Sequence, residues 1–405
     1  MSGKRKILVV FGTRPEAIKM APVIKELERS PWFDCVVAVT AQHREMLDQV
    51  LDLFRIAPAY DLDIMEEGQS LFDITCRALR GLEAVLSAER PDLVLVHGDT
   101  TTTFAAALAA FYRQLPVGHV EAGLRTREKF SPFPEEMNRH LTAVLADVHF
   151  APTARARQNL LAEGVPPGAI FVTGNTVIDA LFMVVRPDFR FGDPVLDALD
   201  YRRERVLLVT THRRENLGDP LREVYRALVD LVRAYPDVRV VFPVHKNPAV
   251  RAAAAEEMGK QARVHLIEPL PYLPFVNLMQ RAYLVLTDSG GLQEEAPALG
   301  KPVLVLRGTT ERPEALEAGT VELVGTARER VFARAARLLD DPGAYARMAG
   351  AVNPYGDGRA APRVVQGLAA YFGLAPKPAP FVPQPGSAAK NFRAATDKNF
   401  AAKKE

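Results

Sequence analysis

The stretch LVLVHGDTTTTFAAALAAFY, residues 93–112, joins an apolar run to a helical pattern through a short polar turn. Three more stretches place polar residues where an apolar run ends: VEAGLRT (120–126), TTHRREN (210–216) and TDSGGLQEE (287–295). In open parallel sheets, ligands bind just beyond the carboxyl ends of the strands. The stretches therefore predict an α/β fold whose sheet edges hold a charged, nucleotide-type ligand.

Short β-rich runs alternate with longer helical patterns along the chain, which is typical of repeated βαβ units. We expect a first Rossmann-like domain over residues 1–172 and a second over 173–359, followed by a last helix near 360–372. Residues 375–405 are rich in Pro and then in Ala and Lys. They are predicted to form a disordered tail, and deletion of residues 376–405 is expected to leave stability and activity unchanged.

Composition excludes several classes of protein. The 405 residues suffice for two domains, and the net charge of +2 gives no support for a nucleic-acid partner. The only cysteines, Cys35 and Cys76, form neither a metal motif nor a disulfide framework. The apolar run 104–112 is too short to cross a bilayer. We expect a cytoplasmic protein with no metal site and no membrane partner.

The segment FGTRPEAIKMAPV, residues 11–23, predicts a strand, a turn at Gly12 and a helix that begins near Pro15. The free N–H groups at such a helix N-terminus suit a phosphate, and Arg14 and Lys19 add positive charge. The segment is neither a Walker A loop nor a GxGxxG motif, so an ordinary turn with a solvated arginine stays an alternative.

Carboxylates gather at one edge of the predicted first sheet. Asp99 is a candidate acid, or else the N-cap of the helix that follows it in the chain. Glu121 closes a buried strand, where an unpaired carboxylate is costly, and this favours a functional role. Glu135 and Glu136 open a helix, and Glu135 could instead pair with Arg139 at i,i+4. Acids clustered in this way shift one another's pKa, as acid–base chemistry at carbon requires.

The second half of the chain supplies groups for an anion. His212 is followed by two arginines, which suit a diphosphate. The turn Ser289–Gly291 lets backbone N–H groups approach an anion at the start of a helix. In that helix either Glu294 or Glu295 could bind a ribose diol, and spacing does not choose between them.

Four histidines, His97, His119, His149 and His265, lie inside or beside apolar strands. They are interpreted as structural residues with satisfied hydrogen bonds. No His/Cys/Asp cluster has zinc spacing, and no GxSxG nucleophile elbow is present in the sequence.

Eleven segments follow one another in the chain: FGTRPEAIKMAP (11–22), AQHREMLDQVL (41–51), LVHGDTTTT (95–103), VGHVEAGLRT (117–126), SPFPEEMNR (131–139), VTGNTVIDAL (172–181), HRREN (212–216), PVHKNP (243–248), LTDSGGLQEEAP (286–297), TTERPEA (309–315) and NPYGDG (353–358). In order and spacing they resemble the non-hydrolysing UDP-N-acetylglucosamine 2-epimerases, from about residue 5 to 374. The resemblance implies a GT-B-like architecture with two Rossmann-like domains, an active site in the cleft between them and a helix near 360–374 that returns to the first domain.

The resemblance also implies an activity. UDP-GlcNAc and UDP-ManNAc are interconverted by elimination of UDP to 2-acetamidoglucal and re-addition of UDP, without a cofactor, in a homodimer that supplies surface polysaccharide precursors. By motif, it makes Asp99, Glu121, Glu135 and His212 catalytic. It selects Glu135 over Glu136 and Glu295 over Glu294. The substrate- and UDP-binding positions that it implies are Arg14, Lys19, Arg213, Phe275, Ser289, Gly290, Gly291, Glu295 and Arg312.

A second UDP-GlcNAc activates some members of this family. The matching positions here are Gln42, His43, Gln69 and His245, but Gly68 replaces the arginine of that site, which leaves activation by substrate open. Three alternatives to the main prediction stand: a hydrolysing epimerase that releases ManNAc and UDP, a GT-B glycosyltransferase, and a catalytically silent UDP-sugar sensor.

Overall fold

The computed structural model describes residues 3–41, 44–66 and 68–385. The chain divides into two compact units. The first runs up to Ala180 and takes in Tyr355–Val382, and the second is Leu181–Pro354. The division therefore lies later than the boundary predicted at 172–173. Each unit is built on a parallel sheet, and the predicted α/β class is confirmed.

The first unit contains a seven-stranded sheet in the order β3-β2-β1-β4-β5-β6-β7. Its strands are β1 (Arg5–Phe11), β2 (Phe33–Val39), β3 (Tyr60–Asp61), β4 (Leu93–His97), β5 (Val117–Val120), β6 (Val148–Ala151) and β7 (Ile170–Val172). The helices that follow these strands are α1 (Arg14–Arg29), α2 (Arg44–Phe54), α3 (Leu71–Glu89), α4 (Thr101–Tyr112), α5 (Glu135–Leu145), α6 (Ala154–Ala162) and α7 (Thr176–Val184). The unit division falls within α7.

The second unit contains a six-stranded sheet in the order β10-β9-β8-β11-β12-β13. Its strands are β8 (Arg205–Thr210), β9 (Val238–Pro243), β10 (Val264–Ile267), β11 (Leu284–Thr287), β12 (Val303–Val305) and β13 (Val321–Leu323). Its helices are α8 (Pro194–Ala198), α9 (Asp219–Ala234), α10 (Pro248–Met258), α11 (Tyr272–Arg281), α12 (Leu292–Ala298), α13 (Pro313–Glu317), α14 (Arg328–Asp340) and α15 (Pro342–Ala349).

The last helix, α16 (Ala360–Tyr371), packs against α1 and so belongs to the first unit. Asp179 accepts hydrogen bonds from the N–H groups of Ala360 and Ala361, at 3.0 and 2.8 Å, at the start of this helix. The carboxylate satisfies donors that have no partner within the helix. It thereby ties the returning helix to α7.

Apolar runs mark the central strands because helices cover both faces of a parallel sheet. Every residue of β4, from Leu93 to His97, is buried. None of the helices in the described ranges is long and apolar enough to cross a membrane.

The predicted disordered tail at 375–405 is wrong for its first part. Phe381 is only 4% exposed, and its N–H donates a 2.8 Å hydrogen bond to the carbonyl of Val172 at the end of β7. A lone aromatic residue within a Pro-rich run gives no periodic signal, so composition could not reveal this contact. Residues 386–405 lie outside the described part of the chain.

Three buried histidines occupy neighbouring strands of the first sheet. Burial lowers the pKa of His97 and His149 to about 4 and that of His119 to about 3. The hydrogen bonds predicted for these side chains are only partly present. His119 Nε2 lies 2.7 Å from the carbonyl oxygen of Gly98, whereas neither ring nitrogen of His97 has a hydrogen-bond partner within the described ranges.

We expect acid to destabilise the protein. His97, His119 and His149 contribute stability that is present above their ordinary pKa of 6.5 and is lost as the pH falls toward their folded values. The loss is about 2 kcal/mol per histidine between pH 7 and pH 5. Asp179 offsets about 2 kcal/mol of this loss. Burial raises the pKa of Asp179 to about 7, so that its protonation in acid stabilises the folded protein.

For these four groups together, the net loss between pH 7 and pH 5 is about 4 kcal/mol. Urea unfolding of the intact chain at the two pH values measures it. The variant His149→Gln should remove about 2 kcal/mol of this difference. Equal stability of the unsubstituted protein at both pH values would contradict the expectation.

Candidate active site

Glu121 is fixed at the carboxyl edge of the first sheet. It directly follows β5 and has a φ of +62°, in the left-handed region that residues other than glycine rarely adopt. Lys19 Nζ lies 2.5 Å from Glu121 Oε2, and Asn175 Nδ2 donates a 2.7 Å hydrogen bond to the same oxygen. His97 Nε2 lies 3.9 Å from it. A carboxylate that is 7% exposed is thus held between a cation, an amide and a neutral imidazole.

Sequence reasoning placed Lys19 among the substrate-binding residues, and the structure places it beside Glu121, one of the candidate catalytic acids. Asn175 was not assigned a role. It follows β7, far from Glu121 in sequence, so no local signal connects the two residues.

Asp99 follows β4, the neighbour of β5 in the sheet. Its Oδ2 accepts hydrogen bonds from Nε and Nη2 of Arg139, at 2.9 and 2.7 Å. Asp99 is not the N-cap of α4, because Thr100 takes that position and its hydroxyl accepts from the N–H of Thr103. The alternative of an i,i+4 pair between Glu135 and Arg139 is also wrong, since Arg139 binds Asp99 and Glu136.

The two glutamates that open α5 have different environments. Glu136 is buried and accepts hydrogen bonds from the N–H groups of Thr126 and Arg127 and from Arg139. Burial alone would raise the pKa of Glu136, but these donors lower it below its usual range. Glu135, in contrast, has a buried Oε2 with no hydrogen-bond partner in the part of the chain that the structure describes.

Unpaired buried carboxylate oxygens are costly and uncommon. The arrangement therefore gives Glu136 a structural role and leaves Glu135 available for a ligand. Asn138 Nδ2 donates a 2.9 Å hydrogen bond to the carbonyl of Asp99, which joins α5 to the end of β4. The candidate acids Asp99, Glu121 and Glu135 thus share one edge of the first sheet.

In the turn between β1 and α1, the N–H groups of the two residues before the helix already bind a carboxylate of the protein itself. Glu16 accepts hydrogen bonds from the N–H groups of Gly12 and Thr13, at 3.1 and 2.8 Å, and from the hydroxyls of Thr100 and Thr103. Burial raises the pKa of Glu16 by more than these hydrogen bonds lower it. The pattern T-x-x-E at residues 13–16 is a capping box and could have been recognised in the sequence. Arg14 remains half-buried at this turn.

His212 and Asp288 form a dyad at the carboxyl edge of the second sheet. They follow β8 and β11, which are neighbours in that sheet. His212 Nδ1 lies 2.9 Å from Oδ1 of the fully buried Asp288. Asp288 also accepts hydrogen bonds from the N–H groups of His212 and Arg213, both at 2.9 Å. Sequence reasoning assigned His212 but missed Asp288, although both lie in quoted strand-end segments.

Burial would raise the pKa of Asp288, but the hydrogen bond and charge of His212 and the backbone donors lower it. The ionised carboxylate keeps the proton of a neutral His212 on Nδ1 and stabilises the imidazolium when it forms. Nε2 is then the atom that can meet a ligand. The side chain of His212 is 39% exposed.

The other residues predicted to bind UDP in the second unit have the following positions and contacts. The turn Ser289–Gly291 connects β11 to α12. Glu295 Oε1 lies 3.3 Å from the Tyr272 hydroxyl, which donates to it. Glu294 is buried and forms an ion pair with Arg312, so this predicted UDP-binding arginine already has a carboxylate partner. Phe275 is half-buried on α11.

Two of the four predicted activator residues, Gln69 and His245, lie in the described part of the chain. Gln42 and His43 lie outside the described part of the chain. Gln69 accepts a 3.2 Å hydrogen bond from the N–H of Glu66 in the first unit. His245 belongs to the second unit, with its ring centroid 6.0 Å from that of His212, and burial lowers its pKa. Within the described ranges, no group of three metal-binding side chains is assembled.

Comparison with known proteins shows which family the chain belongs to. The family described as UDP-N-acetylglucosamine 2-epimerase matches residues 25–369. The chain belongs to the UDP-N-acetylglucosamine 2-epimerase family. It is 56% identical, over 370 residues, to the UDP-N-acetylglucosamine 2-epimerase of Bacillus subtilis, covering 91% of this chain and 96% of that protein.

Solved structures of similar proteins agree with the assignment to this epimerase family. A S. aureus MnaA–UDP co-structure has a TM-score of 0.85 at 48% identity, covering 93% of this chain and 100% of the other. The Neisseria meningitidis UDP-GlcNAc 2-epimerase bound to UDP-GlcNAc has a TM-score of 0.82 at 51% identity, covering 90% and 99%. The glycotransferase of kitacinnamycin shares only the fold, with a TM-score of 0.62 at 15% identity, covering 92% and 100%. The predicted GT-B-like fold is confirmed.

Proposed function

We propose that this protein interconverts UDP-GlcNAc and UDP-ManNAc by eliminating UDP and adding it back, without net hydrolysis. Membership of the epimerase family supports the substrate. The observation that carries the chemistry is the Glu121 carboxylate, held by Lys19 and Asn175 on the same sheet edge as Glu135. An epimerase must remove a proton from C2 of the sugar and return one to its opposite face, and positioned carboxylates can do both.

In the first step of this proposal, a carboxylate takes the C2 proton and the C2–H electron pair forms the C1–C2 double bond. The bond between C1 and the diphosphate oxygen breaks, and its electrons leave with UDP. The products are 2-acetamidoglucal and UDP. The candidates for proton transfer are Asp99, which Arg139 holds through Oδ2, Glu121, which Lys19 and Asn175 hold through Oε2, and Glu135, whose Oε2 has no hydrogen-bond partner within the described ranges.

The second sheet supplies groups for the leaving diphosphate. In this proposal His212 Nε2 and Arg213 stabilise the charge that develops on UDP, and Asp288 stabilises the imidazolium. Addition of UDP to C1 and return of a proton to the other face of C2 complete the cycle. The isomerisation is then balanced, with no water or oxidant consumed.

The test is proton NMR of the purified protein with UDP-GlcNAc in D2O. We expect UDP-ManNAc to appear and deuterium to enter C2, because the abstracted proton exchanges with solvent. Free ManNAc and UDP would overturn the non-hydrolysing proposal in favour of hydrolysis. An unchanged spectrum would overturn the epimerase proposal itself.

We further propose that the protein acts in the cytoplasm as a homodimer that supplies polysaccharide synthesis. Exposed apolar side chains on the neighbouring helices α3, α4 and α5, among them Phe72, Phe111 and Val144, support association with a second copy. Light scattering should give twice the chain mass of 44.5 kDa. A molar mass equal to that of one chain would contradict the dimer.

A further inference from the structure

A short segment after the last helix lies against the first unit. It comprises Pro376–Val382, beyond residue 369, where the family match ends. Gln366 Nε2 donates a 3.1 Å hydrogen bond to the carbonyl of Pro376. The N–H of Phe381 donates to the carbonyl of Val172, which extends the contact to the end of β7. The segment is therefore anchored at both ends.

The ring of Phe381 packs on the turn that follows β7. The nearest side-chain atoms to an ideal Cβ at Gly174 are Cδ1 and Cγ of Phe381, both at 3.6 Å. Gly174 has a φ of +85°, so this turn requires glycine. The guanidinium of Arg363 lies 5.4 Å from the centre of the Phe381 ring and donates a 3.1 Å hydrogen bond to the carbonyl of Thr173. Phe381 and Arg363 thus hold the turn together.

The next residue in that turn, Asn175, contacts Glu121, which is a proposed proton-transfer group. Its N–H donates a 2.6 Å hydrogen bond to the carbonyl of Tyr355. Its Oδ1 accepts from the N–H of Val177 at 3.2 Å, which leaves Nδ2 to donate to Glu121 Oε2 at 2.7 Å. A displacement of the turn would therefore change the hydrogen bond to the Glu121 carboxylate.

We propose that residues Pro376–Val382 form a C-terminal clamp in which Phe381, as a positioning residue, holds the Gly174 turn so that Asn175 donates to Glu121. This inference rests on the proposed function of Glu121 as a proton-transfer group. The hydrogen bond from Asn175 stabilises the ionised carboxylate. Without the clamp, Glu121 should bind its proton more readily and transfer one less effectively.

The test compares Phe381→Ala with Val382→Ala in the full-length chain. Val382 is the neighbouring apolar residue of the same segment and is 60% exposed, which makes it a matched control. For Phe381→Ala we expect kcat to fall about tenfold, with KM changed less, because a hydrogen bond to a charged group is weakened. The acid limb of its pH–rate profile should move to higher pH. Phe381→Leu should restore part of the activity, and Val382→Ala should resemble the unsubstituted protein.

Two shortened chains separate the clamp from the rest of the terminus. A chain ending at Pro385 should keep full activity, whereas a chain ending at Leu374 should reproduce Phe381→Ala. A lower melting temperature with an unchanged pH–rate profile in Phe381→Ala would overturn the proposal, since it would show a purely structural role.

Hydrogen exchange distinguishes failure of the clamp from failure of the proposed function. If the unsubstituted protein does not epimerise UDP-GlcNAc, the proposed function fails. The clamp then still predicts that the backbone N–H of Asn175 exchanges with solvent faster in Phe381→Ala than in Val382→Ala. Equal exchange in the two variants would overturn the clamp.

Discussion

Glu121→Gln is expected to lower kcat about a thousandfold, because glutamine keeps the shape of the side chain but cannot accept a proton from carbon. The amide oxygen can still accept the hydrogen bond from Asn175. The attraction to Lys19 is weakened, so some stability should also be lost. Steady-state kinetics well below the melting temperature measure the chemical effect separately from this loss.

Glu89→Gln is the matched control. Glu89 also lies in the first unit, 2.8 Å from Lys6 Nζ, and accepts from the neutral hydroxyl of Tyr60. This pair is near the start of β1, at the opposite edge of the sheet. The control should lose a comparable Glu–Lys attraction with kcat nearly unchanged. If Glu121→Gln keeps activity close to that of Glu89→Gln, Glu121 is not the proton-transfer group.

Asp288→Asn is expected to lower kcat roughly a hundredfold. Asparagine has a single acceptor oxygen and cannot accept from His212 Nδ1 and both backbone N–H groups as the carboxylate does. An amide NH2 facing Nδ1 would favour the other tautomer of His212, and the negative charge that stabilises the imidazolium would be absent.

Asp237→Asn is the control in the same unit. Asp237 pairs with Arg205 at 2.6 Å just before β9, at the edge opposite the dyad. A partly exposed ion pair of this kind contributes about 0–1 kcal/mol, so stability and kcat should change little. Equal kcat values for the two variants would show that the dyad does not take part in turnover.

The fold could be predicted because parallel strands buried on both faces read as apolar runs that end in polar residues. This signal was present at β1, β4 and β8. It was absent for β3, with two residues, and for α8, with five, because elements so short have no periodicity. Helix α15 was also not predicted.

The site was predictable where it depends on strand order. Asp99 and Glu121 end adjacent strands, so sequence reasoning could bring them to one edge. The contacts of Asn175 with Glu121 and of Asp288 with His212 join distant parts of the chain and depend on side-chain direction. Phe381 was missed because burial of one ring leaves no trace in composition.

The left-handed backbone at Glu121 has a consequence for evolution under selection for heat resistance. A residue with a β-carbon in that conformation costs about 1–2 kcal/mol, whereas glycine adopts it freely. The buried Oε2 of Glu135 adds a further cost at the same edge. Variants chosen for thermal resistance alone should therefore accumulate substitutions at this edge and lose turnover as they gain resistance.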